Sequence, residues 1–242
     1  MKKAIFLFDY TGVMARPWLA AGYECWLFDG QHPKGVSREG ALVKVGMWFD
    51  AGAINSHALY ITQLVGHGVE FIASFAECTD LTTTGARWWA EKRLADPEFQ
   101  DKAVRLADMV RVVAEHCHSK GPIPRWMLEN PAISALNTLY RRPDHKFHPY
   151  EYGGYLPLDD QHPFYPEVYP PRDGYNKLTG IWCGGGFVMP GRKPVPHIAH
   201  NPGWAKCGGK STRTKNIRSC TPRGFAEAVF RFNGHQEWDE LI

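Results

Sequence analysis

Short apolar runs alternate with polar turns along the first part of the chain. Residues 3–8 are mostly apolar and predict a buried strand, which a polar turn at 9–12 ends. A short helix should then end at Gly22, and residues 23–28 predict a second strand that closes on Asp29. A strand, a helix, a second strand and an acid in this order are typical of the start of a βαβ unit.

The same alternation continues to about residue 149. Further strands are predicted at 42–49, 69–75 and 123–128, and helices at 53–65 and 97–119. The longest helix should have Asp96 as its N-cap and Pro97 as its first residue. We therefore expect an α/β fold, a doubly wound and mostly parallel sheet of Rossmann-like type. In such a sheet Asp29, Asp50, Cys78 and Glu129 would share the carboxyl edge, where ligands bind.

The character of the chain changes after this point. Residues 150–175 contain five prolines and six tyrosines, which disfavour helix, and residues 176–216 are rich in glycine and basic residues and predict short strands and loops. We expect a catalytic domain at 1–149, a small region facing nucleic acid at 150–216, and a C-terminal segment at 217–242 that packs back on the catalytic domain.

Composition limits the class of protein. The chain has 242 residues, of which 44% are hydrophobic, so it is not disordered. No apolar run is long enough to span a bilayer, and the run that begins at Ala4 stops at Asp9, which favours a strand over a secretion signal. The six cysteines form no regular framework, which favours a reducing, cytoplasmic compartment.

Charge is distributed unevenly. The formal net charge is only +3, yet residues 174–226 contain nine basic residues and no Asp or Glu. Such an asymmetry indicates a polyanionic partner, and a basic solvated face is the simpler alternative. The candidates for contact with nucleic acid are Lys206, Lys210, Arg213, Lys215 and Arg218, together with Arg142.

Two side chains are candidates for covalent chemistry. Cys78 follows a buried strand, a common position for nucleophiles, and Glu129 ends the next strand. Because neighbouring parallel strands lie about 4.8 Å apart, the two side chains can flank one ligand. Each also has a structural interpretation: Cys78 as a small buried side chain, Glu129 as a carboxylate near a helix start.

These residues resemble the C5-cytosine DNA methyltransferases, in a short form typical of phages. The resemblance covers residues 4–142. It rests on the turn Tyr10-Thr11-Gly12, an acid after the second strand, Cys78 after a strand, and Glu129-Asn130-Pro131 after the next. The segment Arg218–Ala226 (Arg-Ser-Cys-Thr-Pro-Arg-Gly-Phe-Ala) is similar to a late segment of that family.

The resemblance implies a methyltransferase type of fold and S-adenosyl-L-methionine as cofactor. Its binding residues would be Asp9, Thr11, Gly12, Asp29, Trp48 and Asp50, with Trp48 stacked on the adenine or, alternatively, packed in the core. Cys78 would attack C6 of a cytosine that has left the duplex, Glu129 would hold the ring, and Arg141 or Arg142 would contact the flipped nucleotide. DNA would be the partner and the cytoplasm of a bacterial host cell the location.

The sequence departs from the family at two points. Glu77 stands before Cys78 in place of a proline and would raise the thiol pKa unless a cation such as Arg87 offsets it. The turn around Gly12 lacks a second glycine. A pyrimidine-modifying enzyme of the same fold with another one-carbon donor or a free nucleotide as substrate, and an inactive DNA-binding relative, therefore remain as alternatives.

Four further residues are of the types that bind zinc. Cys183, His197, His200 and Cys207 have a spacing that matches no common zinc module, so we interpret them as loop residues and predict no metal.

Overall fold

The computed structural model describes residues 1–119, 121–208 and 211–234. Within these ranges, seven strands form one sheet: β1 (Lys3–Leu7), β2 (Glu24–Glu39), β3 (Leu42–Gly46), β4 (Val69–Ser74), β5 (Arg125–Pro131), β6 (His145–Phe147) and β7 (Thr179–Gly184). The α-helices are α1 (Arg16–Ala20), α2 (Ile54–Val65), α3 (Trp89–Ala95), α4 (Phe99–His118), α5 (Leu136–Leu139), α6 (Pro202–Lys206), α7 (Thr212–Ser219) and α8 (Arg223–Asn233). Three short 3-10 helices lie at Thr83–Trp88, Pro149–Tyr155 and Pro171–Asp173.

The strands are arranged in the order β3-β2-β1-β4-β5-β7-β6. β1 pairs in parallel with β2 and with β4, and β4 pairs in parallel with β5, whereas β7 runs antiparallel to β5. The prediction of an α/β fold with a mostly parallel sheet is confirmed, and the arrangement is compatible with a Rossmann-like fold. The strand order reverses between β1 and β4, which is the switch point where such sheets bind ligands.

Both faces of the sheet are buried. Ile5, Ile72 and Leu128 point to one face, where they join the apolar sides of α2 and α4 in a single core cluster. The alternate residues of the same strands, such as Phe6 and Phe71, are also fully buried. Burial on both faces explains why the strands are continuous apolar runs in the sequence.

β2 is longer than the predicted strand at 23–28. Its first half runs parallel to β3, with Cys25 opposite Leu42 and Phe28 opposite Val45. The pairing then reverses direction, since Val36 lies opposite Val45 and Glu39 opposite Leu42. β3 is therefore held between the two halves of one bent strand, and it ends at Gly46, short of the predicted end at 49.

The prediction for the start of the longest helix was wrong by two residues. α4 begins at Phe99 with Glu98 as its N-cap, and it ends at His118. Asp96 lies before the helix, where its Oδ1 accepts a hydrogen bond from the Glu98 backbone nitrogen at 3.2 Å. The turn that follows Asp96 is closed by a bond between residues three apart, from Phe99 N to the Asp96 carbonyl at 3.2 Å, and the regular bonds between residues four apart begin with Lys102 N on the Glu98 carbonyl at 2.9 Å.

The prediction of short strands and loops at 176–216 was also wrong in part. The strand β7 lies there, but so do α6 and α7, each of which begins with a capped turn. Asn201 Oδ1 accepts from Gly203 N at 2.9 Å, and Ser211 Oγ accepts from Thr214 N at 3.2 Å. Side-chain caps of this kind stabilise helices whose few apolar residues give only a weak pattern in the sequence.

Contacts between residues divide the chain into two compact units. The first holds residues 1–10, 22–146 and 179–187, and the second holds 11–21, 147–178 and 188–242. The predicted domain limits at 149 and 216 stay a prediction. Within the described parts of α1 to α8 and their connections, no helix is both long and apolar enough to cross a membrane.

A buried ion cluster lies in the second unit. Arg223 donates to Asp160 Oδ1 at 2.6 Å and to Asp173 Oδ1 at 3.2 Å, and the Gly224 backbone nitrogen donates to Asp173 Oδ2 at 2.8 Å. Breaking a buried pair leaves an uncompensated charge and costs several kcal/mol, so this cluster fixes the start of α8. Arg223 is thereby removed from the basic surface that its place in the sequence indicated.

His162 is buried beside this cluster. Its Nδ1 accepts hydrogen bonds from Tyr165 N at 3.0 Å and Phe164 N at 3.3 Å. Its Nε2 lies 3.7 Å from Cys220 Sγ. Burial, and then the positive charge of Arg223, lower the pKa of His162 to about 4. The folded protein therefore holds a neutral imidazole at neutral pH.

We expect the free energy of unfolding to fall as pH drops from 6.5 towards about 4, since only the unfolded state protonates His162 in that range. The contribution is on the order of 3 kcal/mol. Urea titrations at several pH values should show this loss in the native chain and a smaller loss in His162→Asn, which keeps an acceptor near the Nδ1 position. His200→Asn, at an exposed histidine, is the control, and an unchanged pH profile in His162→Asn would contradict the prediction.

Candidate active site

The carboxyl ends of the parallel strands carry the predicted functional residues of the first unit. Asp9 follows β1, Asp29 lies within β2, and Asp50 follows β3. Cys78 follows β4, and Glu129 lies within β5. Because β1 and β4 are neighbours at the point where the strand order reverses, these residues surround the expected ligand site.

Cys78 lies in a tight turn. Its carbonyl oxygen accepts hydrogen bonds from Leu81 N at 3.0 Å and Thr82 N at 2.9 Å, and Leu81 is anchored in the core. The side chain of Cys78 is half-buried. A cysteine on a rigid turn at a strand end has the restricted freedom that a nucleophile needs.

Three contacts join this turn to the end of β5. Asn130 Nδ2 donates to the Ala76 carbonyl at 3.0 Å, Ala135 N donates to the Leu81 carbonyl at 2.7 Å, and Thr82 forms an antiparallel bridge with Ser134. The pairing of Ser74 with Leu128 places Glu129 one residue further along β5. The structure therefore brings Cys78 and Glu129 to adjacent, mutually fixed strand ends, and Glu129 Oε1 is buried there.

The residues around Cys78 have their own partners. Thr79 Oγ1 donates to Glu77 Oε1 at 2.7 Å on the exposed side of the turn. Lys92 forms an ion pair with Asp80. The guanidinium of Arg87, considered as a cation that offsets Glu77, lies 5.1 Å above the ring of Trp88.

Trp48 and Asp29 form a second corner of the edge. The indole of Trp48 is 77% exposed, so the core-packing interpretation was wrong. It lies flat against Gly30, where an added Cβ would come within 2.1 Å of the ring. Burial raises the pKa of Asp29 even though its Oδ1 accepts from Gln31 N at 2.7 Å.

Asp50 is exposed beside this corner. Its Oδ1 accepts from Gly52 N at 2.9 Å, and its backbone nitrogen donates to His57 Nε2 at 3.0 Å. These two contacts fix the loop between β3 and α2, so the carboxylate is held at the edge of the sheet.

Sequence reasoning missed two residues in this region. His32 is buried, and its Nε2 donates to the Asp9 carbonyl at 3.2 Å, which joins the bend of β2 to the residues that follow β1. Burial lowers the pKa of His32. Phe8 has a φ of 56°, an unusual conformation for a bulky residue and one often found at ligand sites. The only signal for His32 was its position just beyond Asp29, and nothing in the sequence indicated Phe8.

Arg141 and Arg142 differ in their surroundings. Arg141 Nη1 donates to both carboxylate oxygens of Asp144 at 2.7 Å, and its Nη2 donates to the Cys183 carbonyl at 3.3 Å. Trp182 Nε1 donates to the Arg141 carbonyl at 2.8 Å. Arg141 thus ties the segment before β6 to β7, whereas Arg142 is exposed.

The remaining predicted residues lie in the second unit. Thr11 and Gly12 precede α1, and Gly12 has a φ of 64°, a conformation that favours glycine. Lys206, Arg213 and Lys215 are exposed, and Arg218 is half-buried. Lys210 lies outside the described residues. Among residues 1–119, 121–208 and 211–234, no group of three or more His, Cys, Asp or Glu is placed to hold a metal ion.

No model of a known protein family matches the chain. No curated protein is significantly similar to it.

We expect Asn130→Ala to lower the free energy of unfolding by about 1–3 kcal/mol, because the buried Ala76 carbonyl loses its donor. The substitution should also loosen the turn that holds Cys78, and alkylation of that thiol should become faster. Urea unfolding and mass-spectrometric mapping of alkylated cysteines measure the two effects. Thr138→Ala, at an exposed residue of the next helix, is the control; equal behaviour of the two variants would contradict the assigned role of Asn130.

Proposed function

We propose that the chain is an S-adenosylmethionine-dependent methyltransferase that modifies C5 of cytosine in DNA through a covalent adduct with Cys78. The observation that carries the proposal is the fixed pairing of the Cys78 turn with the Glu129 end of β5. A thiol and a carboxylate on adjacent strand ends match the two functions that the reaction needs, a nucleophile and a group that stabilises the activated ring.

The sheet supports this proposal. A plain doubly wound sheet has the order 3-2-1-4-5-6, with its strands parallel. In this chain a reversed strand, β7, lies between β5 and β6. The reversed strand departs from the all-parallel order of a dinucleotide-binding sheet, and the methyltransferase type is proposed from this departure together with the resemblance of residues 4–142.

The first unit also offers side chains that fit the cofactor. Asp29, with one oxygen held by Gln31 N, has a second oxygen suited to ribose hydroxyls. The exposed face of Trp48 suits a flat adenine ring, and the exposed carboxylate of Asp50 suits its amino group. Asp9, which follows β1, completes the proposed set within this unit.

The chemistry assigns one role to each residue. The Cys78 thiolate adds to C6 of a cytosine taken out of the duplex, and a carbon–sulfur bond forms as the C5–C6 double bond opens. Glu129 accepts a hydrogen bond from the exocyclic amine and gives a proton to N3, so that the charge arriving on the ring is neutralised and C5 becomes nucleophilic. When bound, S-adenosylmethionine would supply the electrophilic methyl group for C5, with its methyl–sulfur bond broken and the neutral thioether as leaving group. Loss of the C5 proton to water then restores the double bond and releases the Cys78 thiolate. The N3 proton returns to Glu129 in the final elimination.

Arg141 and Arg142 are given different roles. Because Arg141 is engaged with Asp144, we assign it the positioning of the segment that precedes β6. Exposed Arg142 is the one proposed to contact the flipped nucleotide. The activity would be exercised on DNA in the cytoplasm of a bacterial host cell.

Replacing the proposed nucleophile should abolish the reaction. We expect Cys78→Ala to transfer no tritiated methyl group to duplex DNA, and Glu129→Gln to be slower by about 10²–10⁴-fold, as is usual for a positioned acid or base. Cys183→Ala, at another half-buried cysteine, is the matched control and should keep full activity. Duplex DNA with 5-fluorocytosine should trap a covalent complex with the native chain and with Cys183→Ala only, since fluorine blocks loss of the C5 proton.

Other outcomes would decide between the alternatives. Turnover of free dCMP without label on DNA would replace the proposal by a nucleotide-modifying enzyme. DNA binding without any turnover, unchanged by Cys78→Ala, would replace it by an inactive DNA-binding relative.

Cofactor binding should depend on the charge of Asp29. Asp29→Asn should weaken S-adenosylmethionine binding about tenfold or more, since a charge-assisted hydrogen bond is roughly twice as strong as a neutral one. In the native chain, binding should also weaken as pH falls through the raised pKa of Asp29. Isothermal titration calorimetry measures both effects, with Asp101→Asn on α4 as the control. Equal affinity in Asp29→Asn and the native chain would contradict the assignment.

A further inference from the structure

α7 presents one buried and one exposed face within the second unit. Thr214 and Ile217 are buried, and Ile217 packs in a cluster with Val168 and Tyr169. Tyr169 Oη donates to the Ile217 carbonyl at 2.5 Å. The inner face of α7 is therefore anchored, and Thr212, Lys215 and Ser219 on its other side are exposed.

The polar and basic side chains on the outer face of α7 have a regular arrangement. With about 100° between successive residues, the direction opposite the buried pair is occupied by Thr212, Lys215, Asn216 and Ser219. Arg213 and Arg218 lie on the two flanks of this row. The centre of the face thus carries hydroxyl, amide and ammonium groups, its two borders carry guanidinium groups, and the stretch 174–226 contains no acid.

The two flanking arginines are held differently. The Arg218 guanidinium lies 4.2 Å above the ring of Trp204, and its Nη2 donates to the Cys207 carbonyl. Arg213 is 76% exposed in its side chain, and its Nη2 is 3.7 Å from Glu167 Oε1, which is also exposed. Such an exposed pair is worth little and is easily exchanged for a phosphate.

We propose that α7 lies in the major groove of duplex DNA. Thr212, Lys215, Asn216 and Ser219 face the base edges, and Arg213 and Arg218 contact the phosphates on either side. An α-helix of about 10–12 Å diameter fits a groove about 12 Å wide. Amide and ammonium groups are the side chains that read base edges there, whereas phosphate contacts only fix position. The inference rests on the proposed function for its choice of DNA as partner.

Charge and shape favour duplex DNA over other nucleic acids. The exposed row of α7 contains no aromatic residue, which single strands use as stacking platforms. The major groove of A-form RNA is too narrow for side chains to read. The exposed ring of Trp204 lies under Arg218 at one flank and is outside this row. We therefore choose duplex DNA as the partner and make single strands and duplex RNA competitors in the test.

The test measures DNA binding apart from catalysis. Fluorescence anisotropy with the full chain and a labelled duplex of about 25 base pairs gives affinity and its dependence on salt. Arg213→Ala should weaken binding about 3- to 10-fold at about 0.1 M salt and reduce the salt slope by about one, equally for all sequences. Arg93→Ala, which removes the same charge from exposed α3, should change neither quantity.

The centre of the face should affect sequence preference instead. We expect Lys215→Ala with Asn216→Ala to flatten the preference that selection from randomised duplexes reveals. Thermal unfolding of each variant verifies the fold, and Arg213→Gln replaces Arg213→Ala if the latter is unstable. Native affinity in the Arg213 variants, an unchanged preference in the double variant, or equal competition by single-stranded DNA or duplex RNA would each overturn the proposal.

The failure of the α7 assignment can be distinguished from the failure of the proposed function. If the α7 variants bind and methylate DNA like the native chain, the α7 assignment is overturned and the methyltransferase proposal stands. If they lose duplex binding while Cys78 transfers no methyl group in any variant, the reaction is overturned and the α7 assignment stands.

Discussion

The candidate site depends on the parallel pairing of β4 with β5. Strand pairing alone brings the two strand ends to within a few ångströms, but it does not fix the loops that follow them. The amide of Asn130 and the bridge between Thr82 and Ser134 supply that constraint. Cys78 lies in the loop after β4 and Glu129 lies within β5, far apart in sequence, and these contacts turn them into parts of one rigid corner.

Much of this corner could be predicted from the sequence. Buried parallel strands are continuous apolar runs, so β1, β4 and β5 could be predicted from the sequence. Because these strands are parallel, the residues at their carboxyl ends must lie on the same edge of the sheet. One prediction that failed depends on distant partners, since nothing local indicates that Asp160 and Asp173 bury Arg223. The cap of α7 is local, because Ser211 binds Thr214 three residues later, but the surrounding glycine and lysine residues give no apolar periodicity that predicts a helix. His32 and Phe8 were also missed. Neither a hydrogen bond from the His32 ring to the Asp9 carbonyl nor the positive φ of Phe8 gives a periodic pattern in the sequence.

The second unit shows how charge in a sequence differs from charge on a surface. The stretch 174–226 is free of acids, yet Arg192 pairs with Glu151 and Arg223 with Asp160, both from the proline-rich segment before it. Glu167 of the same segment also lies 3.7 Å from Arg213 of α7. Acids that precede the stretch therefore offset part of the positive charge that its composition implies.

The bent strand β2 has a consequence for solubility. The edge of a sheet normally offers unpaired backbone groups to other chains, and long apolar edges promote aggregation. Here the outer side of β3 is covered by residues 36–39 of the same chain, and that outermost ribbon is short and carries exposed Arg38 and Glu39 between two glycines. A second molecule that paired with this edge would contact charged side chains and a glycine-containing turn. This edge of the sheet therefore resists uncontrolled self-association.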